Sequence, residues 1–148
     1  LDVELAPEFR ARAEQVLFDS IDPLTHAASP LRLPTDPRAR EVAEAILTDP
    51  ADNRTLDDWG RAVHSSRSTL ARHFTADTNL SFAAWRTQAR VHAALGMLAE
   101  GTTVAAVARR VGYHDTSAFI AAFRRATGFT PAGHPLTLRR QPQSSPTR

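Results

Sequence analysis

Cysteine and lysine are both absent from this chain of 148 residues. Without cysteine, the sequence has no disulfide framework, no thiolate nucleophile and no cysteine-ligated metal site. It also has no run of 18 apolar residues, so no segment is expected to span a membrane. Aromatic residues make up only 7% of the chain, whereas alanine is abundant. This composition favours helices over sheets.

Charge is distributed unevenly along the chain, and every one of its 18 basic residues is arginine. Residues 1–53 hold five arginines, six aspartates and five glutamates, a net charge of −6. Residues 54–148 hold thirteen arginines, four aspartates and one glutamate, a net charge of +8. The basic part indicates a nucleic-acid partner, with an accidental bias of a solvated surface as the alternative.

Apolar periodicity and capping residues predict an all-α fold of about seven helices. A helix at 6–20, with Ala6, Phe9, Ala13, Val16 and Leu17 on one face, precedes a proline-rich linker at 21–36. Further helices are predicted at about 37–48, 56–63, 66–76, 81–100, 104–111 and 115–127, and 135–148 is expected to be a disordered tail. Because the chain begins with Leu1, we expect it to be part of a longer protein.

Local signals fix the predicted helix ends. Asp36-Pro37, Thr55 with Asp58, Ser66, Ser81 and Thr103 open helices, and Asp115 or Thr116 opens the last long one. Asn79, Gly101 and Gly128 close helices through a left-handed residue. The predicted inward positions of the first two helices after the linker are Ala39, Val42, Ala45, Ile46, Leu56, Trp59, Ala62 and Val63.

The two short-helix pairs on either side of the helix at 81–100 form a loose internal repeat. Leu56, Trp59, Val63, Ser66, Leu70 and Phe74 align with Val104, Val107, Val111, Asp115, Phe119 and Phe123. Each pair has the helix-turn-helix arrangement, whose second helix keeps one face free to enter a DNA groove. The sequence thus predicts a first unit at 36–80, a linking helix at 81–100 and a second unit at 101–134. At 1.5 Å per residue, a linking helix of about 30 Å is close to one turn of B-DNA.

Three segments carry a family resemblance: SSRSTLARHF at 65–74, NLSFAAWRTQARVHAALGML at 79–98 and TVAAVARRVGYHDTSAFIAAFRRATGFTP at 103–131. Over about residues 38–134 the chain resembles the DNA-binding domain of the AraC/XylS-type transcription regulators. The segments SAFIAAFRRATG at 117–128 and DPAD at 49–52 resemble a subgroup whose members usually carry an N-terminal cupin sensor domain. The resemblance implies a bacterial, cytoplasmic transcription factor, with residues 1–35 lying between that sensor and the DNA-binding domain.

The sequence departs from the family pattern at three positions. Gly60 stands where the family usually has alanine, which we expect to weaken helix packing slightly. Asn79 stands where it usually has glycine, and His134 stands near its usual C-terminal aromatic-basic pair. None of these changes removes an expected DNA-contacting position.

In helix-turn-helix docking the start of the second helix meets base edges. In the first unit this predicts base contacts from Arg67, Ser68, Ala71 and Arg72, and the resemblance emphasises the last three. Arg72 is the sharpest candidate, because arginine to guanine is the commonest specific contact, with a phosphate or a nearby acid as its alternative partner. The phosphate candidates, by position, are Arg54, Arg61, Ser65, Ser66 and Arg86.

The corresponding base-reading positions of the second unit are Thr116, Ser117, Ile120 and Ala121, whose side chains are short or apolar. They lack a long bidentate reader, so we predict asymmetric recognition. The first unit supplies most of the base specificity, and the second docks in its groove with Arg124 or Arg125 on phosphate.

The predicted function is therefore a sequence-specific regulator of transcription that inserts helices 66–76 and 115–127 into successive major grooves of promoter DNA. A second copy, bound through the N-terminal helix or the sensor domain, and RNA polymerase are candidate partners. The alternative is a helical interaction or dimerisation module without DNA specificity. We expect no enzymatic activity, metal or cofactor, because the chain lacks a phosphate-binding glycine loop and any HExxH pair.

Overall fold

The computed structural model describes residues 30–139, which form seven helices and no strand. In chain order these are α1 Pro37–Thr48, α2 Leu56–Ala62, α3 Arg67–Thr78, α4 Phe82–Ala99, α5 Val104–Arg110, α6 Thr116–Thr127 and α7 Pro135–Leu138. The all-α fold class is confirmed. The predicted helix at 6–20 and residues 140–148 of the tail lie outside the described residues.

The predicted capping residues begin and end the helices. Asp36, Thr55, Ser66, Ser81 and Thr103 each accept a hydrogen bond from a backbone amide of the first turn that follows. Between the two candidates for the start of α6, the structure selects Asp115, whose carboxylate accepts from the Ser117 amide. Asn79, with φ at 60°, closes α3 as expected. These contacts are local, so the sequence alone specifies them.

A first hydrophobic cluster joins α1, α2, α3 and the N-terminal half of α4. Phe74 of α3 lies at its centre, with its ring edge-on to Phe82 at 5.2 Å and to Trp85 at 5.3 Å. Buried side chains of α1 and α2, including Ile46 and Trp59, complete the cluster. This packing fixes the inner face of α3 and leaves its other face to solvent.

A second cluster joins the C-terminal half of α4 to α5 and α6. Its buried residues are Val91, Ala94, Leu98, Val107, Ala108, Val111, Phe119 and Phe123. Phe119 packs against Phe123 at 5.7 Å and against the partly buried Tyr113 at 5.6 Å. The predicted internal repeat therefore corresponds to two separate cores along one helix.

Helix α4 belongs to both clusters. Its 18 residues correspond to a length of about 27 Å. It contacts α1 and α3 on one side of its midpoint and α5 and α6 on the other. Both short-helix pairs are thus attached to one continuous helix.

The structure corrects four expectations. Ala62 is exposed rather than inward, whereas Ala45 packs against the first cluster as predicted and is partly buried. Residues 135–138, expected to be disordered, form α7, where the Thr137 hydroxyl donates to the Pro131 carbonyl. Residues 31–35, expected to be linker, pack on the first cluster, and Pro34 is fully buried.

Gly60 is the fourth correction, since it permits a close backbone approach instead of weakening the packing. The Ser65 amide donates to the Gly60 carbonyl at 2.8 Å in the turn between α2 and α3. A Cβ at position 60 would lie 2.8 Å from the Ser65 carbonyl oxygen. An alanine there requires this turn to shift.

Gly112 is expected to be indispensable for stability. Its φ is +88°, and an added Cβ would lie 2.8 Å from the Arg90 guanidinium and 3.0 Å from the Ala51 Cα. We expect Gly112→Ala to lower the free energy of unfolding by about 1–3 kcal/mol or more. An alanine is strained at this φ, and its Cβ would also crowd the Arg90 guanidinium and the Ala51 backbone. Chemical denaturation measures the change.

Gly96→Ala is the matched control, since Gly96 lies exposed within α4 and an added Cβ meets no atom within 4 Å. We expect it to raise the free energy of unfolding by about 0.5–1 kcal/mol through helix propensity. Equal stability of the two variants would contradict the proposed role of Gly112.

Candidate nucleic-acid interface

The N-terminal half of α3 presents the predicted reading residues of the first unit. Ser66 caps the helix and also bonds the hydroxyls of Ser68 and Thr69. Arg67, Ser68 and Arg72 are exposed, whereas Ala71 is partly buried. Since the guanidinium of Arg72 makes no hydrogen bond or ion pair within residues 30–139, it is available to a ligand.

The turn before α3 is tight. His64 adopts a φ of 53°, which is uncommon outside glycine, and its side chain is exposed. Ser65 is partly buried, and its amide is tied to the carbonyl of Gly60. The close approach at Gly60 and the strained His64 together set how α3 follows α2.

The equivalent surface of the second unit is a shallow concavity of about 590 Å³ beside α6. It is lined by Ser117, Ile120, Ala121, Arg124, Arg125 and Thr130. Thr116 is partly buried at the start of the helix. The structure thus brings the predicted short-chain positions together with the two arginines predicted to bind phosphate.

Two of the predicted phosphate-binding arginines of the first unit are paired with carboxylates. The Arg54 guanidinium donates to Asp52 at 2.7 Å and lies 3.6 Å from the centre of the Trp59 ring. Arg61 pairs with Asp58 at 2.5 Å. Hydrogen bonds from Thr55 and then from Arg61 lower the pKa of Asp58 to about 2. These arginines are therefore ordered on the surface.

Arg86, the last of the predicted phosphate contacts, is engaged within the protein. Its guanidinium donates to the Arg54 carbonyl at 2.9 Å and lies 5.0 Å from the Phe82 ring centre. Burial lowers its pKa from the ordinary value. Only the Nη1 group is used in this hydrogen bond, so a phosphate contact by Arg86 would have to come from its other N–H donors.

Arg90 is an important residue that the sequence did not reveal. It is 7% exposed, and its guanidinium donates to the carbonyls of Pro50 and Asp52 and to the Asn53 side chain at 2.8–3.1 Å. It also lies 5.5 Å from the ring centre of Tyr113. One buried cation thus ties the loop between α1 and α2 to the turn of the second unit. The only sequence signal was an arginine between the apolar residues Ala89 and Val91.

The segment at 31–36 is anchored to α3 and α4, and we call it the strap. Both the amide and the hydroxyl of Thr35 donate to the Asp77 carboxylate of α3, at 2.7 and 2.8 Å. These bonds lower the pKa of Asp77. The Trp85 indole of α4 donates to the Arg32 carbonyl at 2.7 Å. The strap therefore helps to position the first unit's second helix.

Residues 59–134 match the family model described as a helix-turn-helix domain. The chain belongs to this family, in its AraC-type branch. It is 39% identical to the HTH-type transcriptional regulator RipA of Corynebacterium glutamicum over 106 residues, 68% of this chain and 32% of that protein. It is 35% identical to the HTH-type transcriptional regulator NimR of Escherichia coli over 120 residues, 81% of this chain and 44% of that protein.

A solved structure shares both fold and sequence with this AraC-type domain. The DNA-binding domain of AdpA, a global transcriptional factor, was solved in complex with a target DNA. It aligns with a TM-score of 0.59 at 30% identity over 66% of this chain and 88% of that one. This chain spans less than half the length of the curated relatives RipA and NimR.

Two further properties concern the described residues alone. No helix within residues 30–139 is both long and apolar enough to cross a membrane. In the same range, no three histidine or carboxylate side chains lie together as a metal site would require.

Arg90 supplies the prediction for this subsection. Arg90→Leu removes a buried cation and leaves the oxygen atoms of Pro50, Asp52 and Asn53 without this donor, so we expect the free energy of unfolding to fall by about 2 kcal/mol or more. Arg110→Leu is the control, because Arg110 is exposed and its guanidinium makes no ion pair within residues 30–139. We expect it to change stability by less than about 0.5 kcal/mol. Urea denaturation of both variants would refute the role of Arg90 if they were equally stable.

Proposed function

We propose that this chain is the DNA-binding part of a sequence-specific regulator of transcription. The observation that carries the proposal is the pair of helix-turn-helix units on α4, each with an exposed face on its second helix. The family membership and the DNA complex of the AdpA domain support it. Promoter DNA is the proposed ligand, with α3 and α6 entering successive major grooves.

In this proposal the two units make different kinds of contact with DNA. Arg67, Ser68, Ala71 and Arg72 of α3 meet base edges, and Arg72 reads guanine. In the second unit Ser117, Ile120 and Ala121 offer hydroxyl and methyl groups, while Arg124 and Arg125 bind phosphate. The concavity beside α6 supports this assignment, because it places both arginines next to the three short side chains.

The wider biology is part of the same proposal. The full-length protein acts in the bacterial cytoplasm, and further partners are RNA polymerase and a second copy, bound through the N-terminal segment or a sensor domain. No enzymatic activity is proposed. Selection of binding sites from a random duplex library with the full-length protein tests the function directly. Failure to enrich any sequence would favour the alternative of a helical interaction module.

Arg72→Ala should weaken binding to the selected duplex by about 1–3 kcal/mol and relax the preference at one base pair. The reason is the loss of a bidentate contact to a guanine edge. Fluorescence anisotropy on the selected duplex and on its single-base variants measures both effects. Thr75→Ala, an exposed position one helical turn later, is the control. An equal loss on unrelated duplexes would show that Arg72 binds phosphate only.

Arg124→Ala should weaken binding to all duplexes alike. Removing one phosphate contact reduces the slope of log K against log salt by about 0.9. Titrations at several salt concentrations, with the selected and a scrambled duplex, give both slopes. A loss confined to the selected sequence would reverse the predicted division between the two units.

A further inference from the structure

The two helix-turn-helix units carry opposite net charge. Residues 36–80 hold six arginines, six aspartates and two glutamates, a net charge of −2. Residues 101–134 hold four arginines and one acid, Asp115, a net charge of +3. A DNA-binding unit with a negative net charge needs an explanation, because phosphate repels carboxylates.

Three acids of the first unit each lie beside one of its arginines. Asp52 pairs with Arg54, Asp58 with Arg61, and Asp57 with Arg67. In the second unit, by contrast, the guanidinium groups of Arg109, Arg110, Arg124 and Arg125 are exposed and pair with no carboxylate of residues 30–139. Within residues 30–139, therefore, only the first unit pairs some of its arginines with carboxylates.

The internal repeat supplies a comparison within the chain. The second unit has Ala105 and Ala106 at the positions, 48 residues later, of Asp57 and Asp58. Arg61 recurs as Arg109, so the basic position is kept while both acids are absent. Asp58 also belongs to the cap of α2, where it accepts from the Thr55 amide. Asp57 has no such capping bond within residues 30–139, and its carboxylate lies 3.8 Å from the guanidinium of Arg67.

Arg67 lies where the proposed base-reading helix of the first unit begins. It is the first residue of α3, and its side chain is 47% exposed. A mobile arginine at the start of a reading helix can reach phosphates on any sequence, which raises nonspecific affinity. An acid beside it opposes that attraction unless the correct groove offers a better partner.

We propose that Asp57 is a positioning residue for DNA specificity. It holds Arg67 at the start of α3 and so lowers the affinity of the first unit for unrelated sequences. The second unit supplies the general attraction to the duplex through its unpaired arginines. This inference rests on the proposed function.

The test compares Asp57→Asn with the unchanged full-length protein on the selected duplex and on a scrambled duplex of equal length. We expect binding to the scrambled duplex to tighten about twofold to fivefold, the range that corresponds to an exposed ion pair. The selected duplex should change less, so the ratio of the two affinities falls. The slope of log K against log salt on the scrambled duplex should steepen by about 0.9.

Two controls isolate the role of Arg67. Glu41→Gln makes the same charge change on an exposed residue of α1 and should leave the scrambled duplex unaffected. In an Arg67→Ala background, Asp57→Asn should have no further effect. Asp57→Ala, which introduces the side chain found at the equivalent position of the second unit, should reproduce the result of Asp57→Asn.

Each contrary outcome has a definite meaning. An equal gain from Glu41→Gln, a gain that persists in the Arg67→Ala background, or no gain at all would overturn the role of Asp57. Absence of duplex binding by the unchanged protein at every salt concentration would instead overturn the proposed function.

Discussion

The contact on which the rest of the structure depends is the burial of Arg90 among the carbonyls of residues 50–53. A guanidinium held from one face of α4 closes the loop between α1 and α2 and lies above Tyr113. Asn53 extends the contact by donating to the Gly112 carbonyl at 3.3 Å. Because Gly112 has no side chain, the two units approach closely at this point. Their relative orientation is therefore set by hydrogen bonds as well as by α4.

Such a junction suits a protein that must present two helices to one ligand. Two separate cores on one helix would otherwise allow each unit to twist independently. Hydrogen bonds to a buried cation are directional, and breaking them leaves polar groups without partners. The Arg90 contact thus fixes the orientation of the two units relative to each other. The clusters around Phe74 and Phe123 supply most of the apolar burial.

Much of the fold could be predicted from the sequence because its determinants are local. The caps at Asp36, Thr55 and Ser81 act within three residues of themselves, and apolar spacing located both cores. Two features could not be predicted in this way. The partners of Arg90 are 37–40 residues away, and the need for Gly60 arises from the backbone of Ser65 after the chain has turned.

In the candidate site, too, the features with local determinants were predictable and those that depend on tertiary contacts were not. Exposure of Ser68 and Arg72 follows from their spacing against Leu70 and Phe74, so periodicity sufficed. The engagement of Arg86 with the Arg54 carbonyl did not follow, because it depends on how α4 packs beside the loop. Surface arginines that look alike in a sequence differ here in whether their hydrogen bonds are already used.

The strap has a consequence for where the folding unit begins. The family match starts at residue 59, and the first helix of the domain starts at Pro37. Yet the indole of Trp85 needs the carbonyl of Arg32, and the core needs Pro34. A fragment cut at either of those starting points would expose part of its own core. The smallest autonomous fragment should therefore start at or before Leu31, because Leu31, Leu33 and Pro34 pack on the first cluster.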